Sequence, residues 1–313
     1  MYFIDVPVLV SNNNSSSSSS SSRTKTTSLT SGSVFFIGNA TVLIKYAGFT
    51  ILTDPTFIHM HEKVPLGYGL DTARLTNPAM DVNQLPPLDL VLLSHFHGDH
   101  FDQVAIRELD KSVPIVSNSH AVDELSIRGF SNTKKLDTWE NITFTKKDND
   151  NNNDVELQIT AMPGRHGPFP VAMFLPKVMG SILDFKRKGD RNDSSTGNKS
   201  DNSNQLFRIY ITGDTMVFDD IKEIPKRYPD VDLALLHLGG TTIMGIMLTM
   251  DAKEGLEMFN IINPKKAIPI HYNDYDVFKS PIEDFHAKVK EAGIENQVFY
   301  LNHGETYTFE VNR

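Results

Sequence analysis

Residues 92–102 read LLSHFHGDHFD. His95, His97, Asp99 and His100 crowd into this stretch, directly after the apolar run from Leu88 to Ser94. Such a run reads as a buried strand, and in α/β proteins ligands gather beyond the carboxyl ends of strands. Imidazole and carboxylate are the donors that hold zinc, and manganese or iron as oxygen ligands increase. His95 and His97, on an irregular turn, can face one ion. Asp99 and His100, at the start of the following helix, can face a second. A lone H-x-H is commonly just a solvated turn. H-x-H-x-D-H behind a buried strand points to a metal site.

Two ions need more donors than this turn holds, and the chain supplies them by repeating the same device. His166 follows LQITAMPGR, Asp214 follows FRIYITG and His271 follows KKAIPI, while a fourth strand ends at Asp54 in TILTDP. Any one of these could simply cap a turn. Together they place polar side chains at the ends of several strands, which is a design for one shared site.

The remaining pattern suits an α/β layered fold. Short β-rich runs such as SVFFIG, ATVLIKYAG, DLVLLSH, LFRIYITGD and DLALLHL are interspersed with fewer helical segments. Helices are expected over Phe101–Leu109 and Ala121–Arg128, within TMDAKEGLEMFNII behind a cap at Thr249 or Asp251, and from Pro281 to Gly293. Hairpins come first, then strands separated by helices, so sheets covered by helices are expected.

Residues 1–32 form a tail, mostly a Ser/Asn/Thr tract with little to bury, and are expected to be disordered ahead of one domain spanning 33–313. Two similar tracts, near 146–154 and 186–204, read as disordered surface insertions. The apolar start MYFIDVPVLV has no basic leader and reads as a short strand or a loose tail.

Composition narrows the partners. A net charge of −9 argues against general affinity for nucleic acid or anionic membrane, both of which need basic surface. The absence of cysteine removes disulfides and thiolate metal sites. No apolar stretch is long enough to span a bilayer. A cytoplasmic location and a small-molecule substrate are the resulting expectations; the oligomeric state is left open.

Taken in order, Asp54, His95-Phe96-His97-Gly98-Asp99-His100, His166, Asp214 and His271 resemble the metallo-β-lactamase-fold hydrolase superfamily from about Ser33 to Phe309. The resemblance implies an αββα sandwich with a dinuclear site at one edge. It implies that His95, His97 and His166 hold a first ion, that Asp99, His100 and His271 hold a second, and that Asp214 bridges them, with Asp54 supporting from behind. GNATVLIKYAGFTILTDPTF, TGDT and AIPIHYNDYDVFKSP look like the branch of ascorbate-6-phosphate lactonase-like proteins, and more distantly like N-acylphosphatidylethanolamine phospholipase D. One departure is Asn39, where that branch often carries a histidine.

The chemistry expected of such a site is hydrolysis. Two divalent ions, zinc foremost and manganese as the alternative, share a water and bring its pKa near 7. The resulting hydroxide would attack an ester, lactone or phosphoester, with Asp99 accepting a proton and Asp54 fixing a ligand histidine. A lipid phosphodiesterase is the rival enzyme reading; it needs an apolar surface, and no amphipathic segment stands out. A catalytically silent metal-binding scaffold is the rival outside enzymology. Tyr272, Asn273 and Asp274, after the last ligand, are candidate substrate contacts, as are His59 and His61 in FIHMHEKVP. His237 is expected to be packed, His303 to sit in a turn, His120 and His286 to lie on helices, and Met244, Met247 and Met250 to pack in the core.

Overall fold

A computed structural model describes residues 2–5, 29–67, 69–147, 154–188 and 204–311. Most of the N-terminal tract, and residues 148–153 and 189–203 of the two insertions, lie outside them. Two seven-stranded sheets stack face to face. The first runs β1 (Tyr2–Asp5), β10 (Asn141–Lys146), β11 (Val155–Met162), β12 (Gly180–Arg187), β13 (Gln205–Ile211), β14 (Leu233–His237), β17 (Lys266–Ile270). The second runs β18 (Thr306–Glu310), β2 (Ser31–Gly38), β3 (Thr41–Tyr46), β4 (Phe49–Thr53), β7 (Leu90–Leu92), β8 (Ile115–Ser117), β9 (Thr133–Lys135). Two small hairpins, β5–β6 (Lys63–Gly67, Leu70–Ala73) and β15–β16 (Thr242–Ile243, Ile246–Met247), stand apart from the sheets.

The uninterrupted apolar runs follow from burial on both faces of each sheet, because successive side chains point to opposite sides. On β14, Leu233 and Leu235 enter the core between the sheets, while Ala234 and Leu236 face outward beneath helices α4 (Ala252–Ile262) and α5 (Ile282–Ala292). Along β7, Leu90 and Leu92 join the central core. Val91 and Leu93 instead pack with Ala105 of α1 (Gln103–Glu108) and Ala121 of α2 (Ser119–Ile127). The short α3 (Ile224–Arg227) adds Ile224 to the outer layer of the first sheet. Helix, sheet, sheet, helix is therefore the order of layers.

The helix ends follow their local chemistry. The Asp251 carboxylate accepts the Glu254 amide at 2.8 Å to cap α4. Pro281 opens α5, and Gly293, at φ 69°, closes it in the left-handed conformation. One difference concerns the decisive turn: Asp99 and His100 precede the helix, which begins at Gln103 behind its cap Asp102. That carboxylate also accepts the amides of Phe57 and Ile58, so it holds the turn against the loop after β4. Tyr2–Asp5 is a strand, parallel to β10. The second sheet already includes Ser31 and Gly32, and Lys186 and Arg187 belong to β12. Among the described residues no helix is long and apolar enough to cross a membrane.

Candidate metal centre

Strands β13, β14 and β17 are mutually parallel, and so are β4, β7, β8 and β9. Their carboxyl ends deliver the chemistry. Asp54 follows β4, His95 follows β7, Asp214 follows β13, His237 ends β14 and His271 follows β17, while antiparallel β11 brings His166. The seven candidate ligands meet in two groups, His95 with His97 and His166, and Asp99 with His100, Asp214 and His271. Within each group one donor atom per residue lies within 4.8 Å of all the others.

The turn has its shape for a steric reason. A Cβ on Gly98 would come within 2.6 Å of the Pro65 carbonyl oxygen, so only glycine fits between His97 and Asp99. Asp54 (φ 34°) and His271 (φ 60°) occupy the left-handed region, which disfavours side chains. Backbone bonds hold both there: Asp54 N–H donates to the Leu92 carbonyl at 3.0 Å, and His271 N–H to the Asn39 carbonyl at 2.8 Å. Asn39 also donates its side-chain amide to the Asp99 carbonyl at 2.5 Å. Asparagine at this position therefore ties the H-x-H-x-D-H turn directly to His271.

Tautomers follow from the partners, because a carbonyl oxygen only accepts. His166 Nδ1 lies 3.0 Å from the Leu248 carbonyl and His271 Nδ1 lies 3.0 Å from the Leu238 carbonyl, so both carry the proton on Nδ1. Ser94 settles two more rings. Its hydroxyl donates to Asp54 Oδ1 at 2.8 Å, which leaves its oxygen to accept from His95 Nδ1 at 3.0 Å and His100 Nδ1 at 3.3 Å. Four histidines thus turn Nε2 inward, and in their neutral form that nitrogen is an acceptor. His100 Nε2 and His271 Nε2 face each other at 3.2 Å, and His95 Nε2 faces His97 Nδ1 at 2.9 Å.

Such approaches need a proton or a metal cation between the nitrogens. The carboxylates add to the demand, with Asp214 Oδ2 3.1 Å from His100 Nε2 and 3.4 Å from His271 Nε2. Asp99 Oδ2 lies 3.5 Å from His271 Nε2. Asp99 Oδ1 and Asp214 Oδ1 are buried with no protein partner. Buried acceptors without donors are costly, and divalent cations satisfy this donor set. The residues present fit a metal centre.

Electrostatics separates the two groups. Burial, reinforced by His100 and His97, drives His95 well below the ordinary imidazole range, and burial with His166 takes His97 down to about 3. Burial lowers His166 as well. These rings are neutral donors at neutral pH. Burial also works against charge on His100 and His271, but Asp214 and Asp99 outweigh it and raise both. Burial opposes ionisation of Asp54 too, yet the His100 and His237 rings hold it at about 2.

Two supporting residues escaped the sequence reading. Ser94 reads in the sequence only as the last residue of a strand, although it sits immediately before the first histidine. His237, expected to be packed, is fully buried, but its Nε2 lies 3.5 Å from Asp54 Oδ2 and its Nδ1 lies 3.2 Å from Thr212 Oγ1. It shares the strand-end position of the ligands, which was its readable signal.

The weaker candidates lie elsewhere. His59 is exposed and pairs with Asp81 at 2.9 Å, and neither it nor His61 joins a donor group. Tyr272, Asn273 and Asp274 line a cavity of about 570 Å³ with Phe36, Tyr300 and His303, and none of the seven candidate ligands lines it. The Asp274 carboxylate is buried, accepting the Asn39 amide at 2.8 Å and pairing with His303 at 3.2 Å. Met250 packs in the core as expected, whereas Met244 is 91% exposed. The short turn of β15–β16 leaves Met244 no layer to pack against.

An αββα sandwich with histidine and aspartate donors at one edge defines the metallo-β-lactamase fold. The chain belongs to the beta-lactamase superfamily, whose Beta-lactamase superfamily domain matches residues 50–272. It is 27% identical to a UPF0173 metal-dependent hydrolase of Carboxydothermus hydrogenoformans, over 87% of this chain and 97% of that one. It is also 27% identical to the UPF0173 protein YddR of Bacillus subtilis, over 87% and 98%. Among solved structures, a possible metal-dependent hydrolase from Veillonella parvula superposes with a TM-score of 0.70 at 21% identity, covering 90% of this chain and 100% of that one. An isothiocyanate hydrolase from Delia radicum gut bacteria gives 0.68 at 20%, covering 89% and 99%. These two likenesses concern the fold.

Proposed function

We propose that this chain is a metal-dependent hydrolase that holds two divalent cations, zinc foremost, and cleaves a small-molecule ester, lactone or phosphoester. One observation carries the reading: two adjacent groups of donors, four of whose five rings turn Nε2 inward because a hydrogen bond on the far side holds Nδ1. His95, His97 and His166 would hold one ion and Asp99, His100 and His271 the other, with Asp214 between them. When bound, such ions polarise a carbonyl or phosphoryl oxygen and acidify a water.

The chain's own residues do the rest. Asp99, with a buried and unpartnered Oδ1, accepts the proton of the attacking water and orients it. Ser94 and Asp54 keep His95 and His100 in one tautomer, as carboxylates behind ligand histidines do. His97, the least buried ring of its group, marks the side from which substrate arrives. The resemblance to the ascorbate-6-phosphate lactonase-like branch supports a lactone or ester. The complete donor set speaks against a silent scaffold.

The test is metal content by elemental analysis of purified protein, joined to a screen of lactones, esters and phosphodiesters before and after chelation. The reading expects about two ions per chain and turnover that disappears with the metal and returns on its addition. A well-folded protein that takes up no divalent ion, or one that hydrolyses equally well without it, overturns the reading.

A further inference from the structure

Nine large apolar residues are conspicuously exposed among the described residues, and five of them fall on just two segments: Phe169, Met173 and Phe174, and Met244 and Ile246. Single exposed apolar residues are ordinary, but a group of them marks a binding surface. Phe169, Met173 and Phe174 are 72%, 68% and 70% exposed.

Both segments grow from the metal centre. The Leu248 carbonyl, which accepts His166 Nδ1–H at 3.0 Å, also accepts the Gly167 amide at 2.7 Å. Leu248 N–H in turn donates to the Thr241 carbonyl at 2.7 Å. The loop after His166 and the β15–β16 hairpin are therefore joined at one residue, directly behind a candidate ligand. Their fit is close there: a Cβ on Gly167 would lie 3.0 Å from Leu248 Cδ2 and 3.3 Å from Leu175 Cδ1. These segments are also nearly free of charge. Between Gly167 and Val178 the only ionisable residue is Lys177, and between Leu238 and Met250 there is none. Arg165, before His166, lays its guanidinium over the Phe218 ring at 4.7 Å.

We propose that this rim seats an apolar acyl or aryl group of the substrate, so that the hydrolysed bond belongs to a neutral, hydrophobic ester or lactone and not to a phosphorylated sugar. The proposal rests on the hydrolase reading above. An uncharged apolar rim gains from covering hydrocarbon, and it offers a phosphate almost no counter-charge.

The test uses the metal-loaded full-length protein with p-nitrophenyl acetate, butyrate and octanoate as monomers, the octanoyl chain presented in phosphatidylcholine vesicles, and a phosphorylated sugar lactone. The proposal expects kcat/KM to rise by about two- to fourfold per added methylene. In the double variant Phe174→Ser/Met244→Ser the ratio of octanoate to acetate should fall about tenfold. Saturation-transfer NMR with 2-octanone, which is not hydrolysed, reads the same contact without turnover and should show it weakened in the variant. Faster cleavage in vesicles than of monomers supports the proposal and identifies a lipid as the source of the chain.

A flat chain-length series with acetate turned over, or a preference for the phosphorylated lactone, overturns the proposal while leaving the hydrolase reading standing. If no substrate is cleaved by metal-loaded protein, the hydrolase reading fails, and the NMR contact decides the rim: binding lost in the variant supports it, no binding overturns it. A self-associating protein that the double variant renders monomeric, with no chain-length dependence, assigns the rim to a second copy and also overturns the proposal.

Discussion

The two donor groups differ in what holds them together. His95, His97 and His166 are three neutral rings, and His97 is only half-buried. Asp99, His100, Asp214 and His271 combine two rings with two carboxylates, and all four are buried. The first group has no carboxylate of its own to offset a cation, so it depends on geometry: the carbonyl behind His166 and the Ser94 hydroxyl behind His95. In the second group two carboxylates would offset the charge of a cation, so that group depends on electrostatics. The first, with the less buried His97, is the side that would face substrate. The second suits an ion that anchors the centre.

This contrast is sharpest at Asp214, which faces both His100 and His271. Asp214→Ala should abolish turnover and reduce metal content more than loss of any single histidine of the first group. Elemental analysis of Asp214→Ala beside His97→Ala checks this, and equal metal loss in the two would erase the distinction. Next in size, Asp99→Asn should lower kcat by about 10²–10⁴-fold under saturating metal, the range expected for a lost general base. Parental turnover in an Asp99→Asn protein with full metal content would remove the assigned role.

Ser94→Ala tests the geometric side. Its hydroxyl supports His95 of one group and His100 of the other, so metal affinity or activity should fall by about 10–100-fold, as should that of Asp54→Asn. Competition with a metal indicator reads the affinity directly. If Ser94→Ala bound metal like the parent, tautomer control would have to come from elsewhere.

A smaller effect is expected at His303, away from the ligands. Burial lowers its pKa, but the pairing with Asp274 outweighs this and raises it. A histidine raised in the folded state contributes stability below its unfolded pKa of about 6.5, and that stability is lost as pH rises through the folded value. The partner Asp274 is lowered despite burial, chiefly by His303, so its contribution is present above the unfolded carboxylate value and lost in acid. Urea denaturation of His303→Gln and parent should therefore differ most near pH 6, with the gap narrowing as pH rises through the folded value of His303. A gap that grows with pH would contradict the pairing.

The smallest effect is expected from removing residues 189–203. The flanking strands are already paired, Lys186 opposite Gln205, and the Lys188 amide bonds to the Asp154 carbonyl at 2.8 Å. Shortening a connection between strands held in register costs little. Loss of metal or turnover in a folded deletion protein would give this segment a role in the site.

What was legible in the chain was local. An apolar strand that ends in a histidine or aspartate announces itself within ten residues, and so do the helix caps at Asp251, Pro281 and Gly293. His95, His97, Asp99, His100, His166, Asp214 and His271 could all be named in this way, and the layered fold follows from strands apolar on both faces. The tertiary structure decided the rest. Leu238 and Leu248 hold two ligand rings through backbone carbonyls, which every residue possesses and no sequence pattern distinguishes. Ser94 became a hub because the chain returned Asp54 and His100 to the same hydroxyl. Met244 looked like core and became rim, since whether a methionine is covered depends on what packs over it, and that is fixed by the assembled layers and not by its neighbours along the chain.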